Sequence, residues 1–339
     1  MGGSFAPRGA RGAPAAAAVL AALLLTACAA QEPRFPAAPP AALPPAVELV
    51  GTPFFPQRKY QCGPAALATV LASSGVPVEP DELADEVYLP ARGGSLQAEL
   101  VAAARQRDRL AYIVAPSLES VLQEVAAGRP VLVLQKTGAG PWPGWHYAVV
   151  IGYDLERGRV LLRSGTRARV ELPVGRFMAS WDGADRWALL AVRPGELPAA
   201  ADFRRLMQAA AGLEAVGRRE AAALAYRAAA RAWPDESLPL VGLANLAYAS
   251  GDFAAAEREL RAAVRRAPDD VVVRNNLAIV LLAMGCASSA RYEAEAAARL
   301  AVGGVYAAEI AATRREVEAA GGSDGPGCPS EATWAHSPP

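Results

Sequence analysis

The residues of this chain that can do chemistry are few. Its 339 residues include four cysteines and two histidines. Cys28 closes the string "LTAC", Cys286 sits at a turn between helical stretches, and Cys328 stands in the Gly/Pro-rich tail "GGSDGPGCPSE". Cys62, in "YQCGPAAL", has no obvious partner. His336 lies in a disordered-looking terminal tail, which leaves His146 as the base for any chemistry at Cys62. A thiol within hydrogen-bond reach of an imidazole is an activated nucleophile, able to attack a carbonyl carbon. One usable histidine without a Cys-x-x-Cys pair does not make a zinc site, so neither a metal nor a cofactor is expected.

The surroundings of both residues suit that chemistry. Cys62-Gly63-Pro64 precedes the apolar run "AALATVLASSG", and proline is favoured in a first helical turn. A thiol there sits at the positive end of the helix dipole, where the thiolate is stabilised. His146 begins "HYAVVIGYD", which reads as a strand. Taken alone, Cys62 reads more readily as a small buried core residue than as a nucleophile, because free cysteine is among the most buried types.

Around this pair the chain divides into segments. Residues 1–27 read as a signal peptide, with Arg8 and Arg11 ahead of "PAAAAVLAALLL", an apolar stretch too short to span a membrane comfortably. "LTAC" resembles the lipobox of bacterial lipoproteins, which implies that Cys28 becomes the lipidated first residue of the mature protein. Ordinary secretion is the alternative. The resemblance places the chain in the cell envelope, anchored to a membrane by its N-terminal lipid; the neutral Ala29 implies the outer membrane, facing the periplasm. Residues 28–46 are a Pro/Ala-rich tether.

Residues 47–196 are mixed. Four helical stretches come first, in "GPAALATVLASSG", "DELADEVYL", "SLQAELVAAARQR" (with Ser95 as N-cap) and "SLESVLQEVAAG". The strands "PVLVLQK", "HYAVVIGYD", "RVLLRSG" and "RWALLAVR" follow, an α+β arrangement. Over residues 202–319 the strands stop. Pro234 and Pro268, and likewise Gly217, Gly251 and Gly285, recur every 34 residues, the period of the tetratricopeptide repeat. About three repeats and a capping helix form an all-α solenoid, whose concave surface binds a protein partner. The tail, 320–339, reads as disordered. In an oxidising compartment Cys286 and Cys328 can form a disulfide that pins it to the repeats. Length favours two domains, 53% apolar residues suffice for two cores, and a formal net charge of zero argues against nucleic-acid binding.

The strings "TPFFPQRKYQCGPAAL" and "GWHYAVVIGYD" resemble the papain-like cysteine peptidases that process double-glycine leaders of bacteriocins. The resemblance covers roughly residues 47–195 and implies a papain-like domain acting on a peptide or protein substrate. It implies that Cys62 is the nucleophile, His146 the general base and Gln57 the oxyanion donor, with Gln61 as the alternative donor. The family's Asp or Asn after the histidine is missing from "RVLLRSGTRARV"; Ser164 falls nearest its place, while Asp182 or Asp185 can approach from a loop and Asp154 reads as a hairpin residue. Trp142 and Trp145 flank the histidine as cleft-lining or packing residues. With a lipobox and repeats, the chain resembles a family of bacterial lipoprotein cysteine peptidases. Two further expectations stand beside peptide hydrolysis: a catalytically weak or inactive peptide-binding scaffold, and an acyl-transfer or amidase activity on cell-wall peptides.

Overall fold

The computed structural model describes residues 43–57, 61–138, 144–301, 304–321, 324–325 and 328. Cys28, the signal segment, most of the tether, Trp142 and His336 lie outside the described residues.

Among the described residues seven strands form one antiparallel sheet in the order β2-β7-β3-β4-β5-β6, with β1 beside β4. The strands are β1 (Ala46–Glu48), β2 (Leu110–Ile113), β3 (Val131–Thr137), β4 (Gly144–Asp154), β5 (Arg159–Ser164), β6 (Arg167–Pro173) and β7 (Ala188–Val192). Central β4 is almost continuously apolar because both its faces are covered. Tyr147, Val149 and Ile151 pack against helix α1 (Cys62–Ser73) and its neighbours α2 (Pro80–Val87) and α3 (Gln97–Gln106). Ala148, Val150 and, beyond a register shift at Val150–Gly152, Tyr153 pack on the opposite side. That side is covered by α4 (Leu118–Ala126) and α5 (Val174–Asp182). At the register shift a Cβ on Gly152 would lie 2.4 Å from the Val47 carbonyl oxygen, so only glycine lets β1 pair there.

Every residue of α1 from Gly63 to Leu71 is buried. Such a helix carries no amphipathic signal, and its place is fixed by packing on all sides. Four elements were not foreseen from the sequence, the first being the three-residue β1 at the end of the tether. Strand β2 stands between α3 and α4 and joins the sheet only through β7, so the helices do not all precede the strands. Strand β6 has a mostly exposed face, which hides the apolar pattern of a strand. Helix α5 buries Val174, Phe177 and Trp181, an amphipathic stripe too short to stand out.

After β7 the chain is helical: α6 (Phe203–Ala215), α7 (Arg219–Ala232), α8 (Leu238–Ala249), α9 (Phe253–Arg266), α10 (Val271–Ala283), α11 (Ala287–Leu300) and α12 (Ala307–Ala320). Gly217, Gly251 and Gly285 sit in the turns of successive pairs at φ of 76°, 80° and 78°. This left-handed backbone, open to glycine without strain, accounts for their spacing. Ala222, Ala256 and Ala290 are fully buried where paired helices come together, as small side chains allow. The disulfide Cys286–Cys328, Cα to Cα 5.5 Å, ties the tail to the start of α11. Beside it, Asp324 accepts the Ser288 N–H at 2.7 Å, so its carboxylate also meets the helix N-terminus.

The repeats share one continuous apolar cluster with the α4/α5 face of the sheet. The linker is held by buried polar groups: Tyr112 Oη donates to the Ala200 carbonyl at 3.1 Å and accepts from the Asp202 N–H at 3.0 Å. Glu124, fully buried, pairs with Arg129 at 2.8 Å and accepts the Ala200 N–H at 2.8 Å. Among the described residues no helix is long and apolar enough to cross a membrane.

Candidate active site

Helix α1 starts at Cys62, the only free cysteine among the described residues, and Cys62 is half-buried. The N–H groups of a first helical turn have no partner within the helix, and Pro64 has none to offer. No acidic side chain occupies that turn, so nothing there offsets the positive end of the dipole.

His146 enters from the near end of β4. Its Nε2 lies 2.9 Å from Ser164 Oγ on neighbouring β5. Ser164 thus meets the ring where the resemblance calls for an Asp or Asn. Burial holds the His146 imidazole below its ordinary pKa, and no carboxylate opposes that shift. Of the acidic residues weighed from the sequence, Asp154 accepts the Arg157 N–H at 2.8 Å in the β4–β5 hairpin, at the far end of the strand. Asp182 pairs with Arg186, and Asp185 occupies a positive-φ turn after α5. None of them hydrogen-bonds His146.

Gln57 is pinned twice. Its backbone N–H donates to the Gly165 carbonyl at 3.1 Å, and its Nε2 donates to the Tyr147 carbonyl at 3.2 Å. One amide hydrogen is so committed and the other is left over. Gln61 turns away, its Nε2 3.4 Å from Asp81 Oδ1 on α2.

Gln57, Cys62 and His146 line one cavity of about 700 Å³. Arg92, Gly93, Gly94, Ser95, Leu96 and Trp145 contribute to the rest of its wall. No hydrogen bond joins the Cys62 thiol to the imidazole among the described residues. Such contacts often tighten only when substrate binds. Tyr147 closes the floor: its hydroxyl donates to the Ser95 carbonyl at 3.2 Å, and its pKa is driven far up by burial and then by the neighbouring Cys62. Trp145 is 55% exposed at the rim, which favours the cleft-lining reading over packing.

Arg92 and Ser95 stand in the cavity wall, a place their sequence surroundings did not indicate. The N-cap of α3 is Leu96, not Ser95, and no side chain caps that helix. Among the described residues Ser95 Oγ instead has no hydrogen-bond partner and is buried against Gly63. A Cβ added to Gly63 would come within 2.5 Å of it. The glycine pair before Ser95 was the available signal of a turn, and Gly93 takes φ 61° there. Among the described residues no cluster of side chains could hold a metal ion.

Residues 50–186 match the model of the Peptidase_C39 like family, and residues 238–280 match the tetratricopeptide repeat. The chain therefore carries a C39-like peptidase domain of α+β fold followed by a tetratricopeptide-repeat solenoid. Among solved structures, one described as a C39-like peptidase from Bacillus anthracis is 20% identical. It covers 44% of this chain and 98% of its own, with a TM-score of 0.39. The first tetratricopeptide-repeat domain of Spaghetti (RPAP3), solved with an HSP90 peptide, is 17% identical. That match covers 35% of this chain and 91% of the other, with a TM-score of 0.32. No curated protein matches.

Proposed function

We propose that this protein is a thiol peptidase in which Cys62 attacks a peptide carbonyl and His146 moves the proton. The observation that carries the reading is the gathering of Gln57, Cys62 and His146 around one cavity, with the His146 ring braced by Ser164. With Nε2 turned to Ser164, Nδ1 is the ring nitrogen that takes the thiol proton. The thiolate adds to the carbonyl carbon, and the resulting oxyanion accepts from the uncommitted Gln57 amide hydrogen and from N–H groups of the first turn of α1. The imidazolium returns its proton to the leaving amine as the C–N bond breaks, leaving a thioester on Cys62. Water, deprotonated by His146, then hydrolyses the thioester and frees the thiol.

In the same reading Cys28 carries the lipid that holds the protein to the outer membrane, facing the periplasm, and the repeats recruit a substrate or a partner protein. Peptide incubation followed by mass spectrometry tests the chemistry. Cleavage by the wild type, lost in Cys62→Ala, supports it; identical products from both variants sink it. A second reading, a peptide-binding scaffold with weak or no activity, is favoured by the serine in place of a carboxylate beside His146 and by the absence of a thiol–imidazole hydrogen bond. Binding without turnover in the wild type would select it.

A further inference from the structure

We propose that the cavity reads a carboxylate, and that Arg92 is the residue that reads it. Peptides that bind would carry an acidic side chain or a free C-terminal carboxylate close to the carbonyl presented to Cys62. The inference deepens the peptidase reading and rests on Cys62 being the reacting residue.

The charge distribution in the cavity is one-sided. Among the described residues Arg92 lines it, and no aspartate or glutamate does. The Arg92 guanidinium is exposed and forms no ion pair or hydrogen bond with any described residue. Its backbone is nevertheless placed: Arg92 ends a short 3-10 turn (Pro90–Arg92), Gly93 follows at φ 61°, and the Leu89 N–H donates to the Gly94 carbonyl at 2.9 Å, closing the loop. A fixed loop carrying an unpaired, planar five-donor cation suits bidentate capture of a carboxylate. Positive potential also comes from the start of α1 at Cys62, with no acidic residue in its first turn.

Ser95 is an independent pointer to a ligand. Its Oγ is buried with no hydrogen-bond partner among the described residues, a costly state for a polar atom. It belongs to the same loop and the same cavity wall as Arg92. A carboxylate held by Arg92 would gain the hydroxyl as a second donor once the Ser95 side chain turns away from Gly63. Leu96 and Trp145, both exposed, offer apolar contact at the rim for the stem of the same residue or its neighbour.

The test needs neither a known substrate nor proteolysis. Full-length protein is alkylated at Cys62 by iodoacetate, which is anionic, and by iodoacetamide, its neutral counterpart, with peptide mapping to isolate Cys62. The ratio of the two rates is compared in wild type, Arg92→Gln and Arg92→Lys. Arg92 is on the surface, so both variants should keep the wild-type circular dichroism. The inference expects the iodoacetate/iodoacetamide ratio to fall about tenfold in Arg92→Gln, the worth of one charge-assisted hydrogen bond. Arg92→Lys should restore part of it, and added salt should shrink the wild-type preference. An equal ratio in wild type and Arg92→Gln overturns the inference.

Peptide competition then separates the two sources of carboxylate. Protection of Cys62 by a pool of peptides with free C-termini, lost on amidation, assigns the terminal carboxylate. Protection by amidated peptides containing glutamate, lost when glutamine replaces it, assigns the side chain. Should neither class protect Cys62, the inference fails even if the reagent ratio shifts. A carboxylate preference at Cys62 without any cleavage would leave the inference standing and remove the peptidase reading instead.

Discussion

Replacing Ser164 by aspartate tests whether the imidazole acts on the thiol at all. In the wild type a neutral hydroxyl stands 2.9 Å from His146 Nε2 while burial disfavours the imidazolium. A carboxylate about 4 Å from an imidazolium is worth about 4 kcal/mol at an effective dielectric near 20. Desolvating that carboxylate offsets part of this, which leaves about 1.5–3 kcal/mol, the range for hydrogen bonds to charged groups. The gain falls on the thiolate–imidazolium pair relative to the neutral thiol–imidazole pair, which has the same number of protons. Its population therefore rises by roughly 10- to 150-fold until it saturates. The sign follows: raising the folded-state pKa of His146 carries the ion pair to higher pH before the imidazolium loses its proton. The assay is the rate of Cys62 alkylation by iodoacetamide from pH 4 to 10, read by peptide mapping. At pH 7 Ser164→Asp should alkylate faster by that factor, and Ser164→Ala slower by about 2- to 10-fold, having lost a neutral hydrogen bond. If Ser164→Asp folds normally and its profile matches the wild type, His146 does not act on Cys62, and the proposed dyad is wrong.

Other perturbations probe the scaffold. Gly63→Ala puts a methyl 2.5 Å from Ser95 Oγ, so the 92–97 loop must shift and Cys62 reactivity should change, with a stability cost of about 1–3 kcal/mol measurable by urea unfolding. Glu124→Ala removes a buried carboxylate that holds Arg129 and the Ala200 N–H; a loss of about 2–4 kcal/mol is expected in denaturant melts. Opening the Cys286–Cys328 bridge, which spans 42 residues, should destabilise the end of the solenoid by about 3–4 kcal/mol, seen as a lower Tm in the Cys328→Ser variant. Because burial lowers the His146 pKa, the unfolded chain holds that proton more tightly. Stability should therefore fall as pH drops below the ordinary imidazole range, and His146→Gln should flatten that slope in unfolding measured at pH 5 and pH 8.

Much of this protein is readable without coordinates. The glycines at 217, 251 and 285 recur because each helix pair needs one left-handed turn residue, a local demand that the chain meets one residue at a time. Elimination among two histidines singled out His146 in the same way, since a base must come from a short inventory of side chains. Helix α1 was visible as an apolar run, and its start at Cys62 as a Gly-Pro signal. Long-range pairing was not readable. Strand β2 exists because β7 returns beside it, and β6 because β5 offers an edge, pairings that leave little trace in the strands' own residues. Ser164 was legible only through the family resemblance, and its reach to His146 comes from the register of β4 and β5; Arg92 and Ser95, which a closed loop brings to the same cavity, were not legible as cavity residues. Residue types and periodic spacing are local properties, and they determined which groups could react. Tertiary packing alone decided which of them share a cavity, because distances between residues far apart in the chain are set by the whole fold.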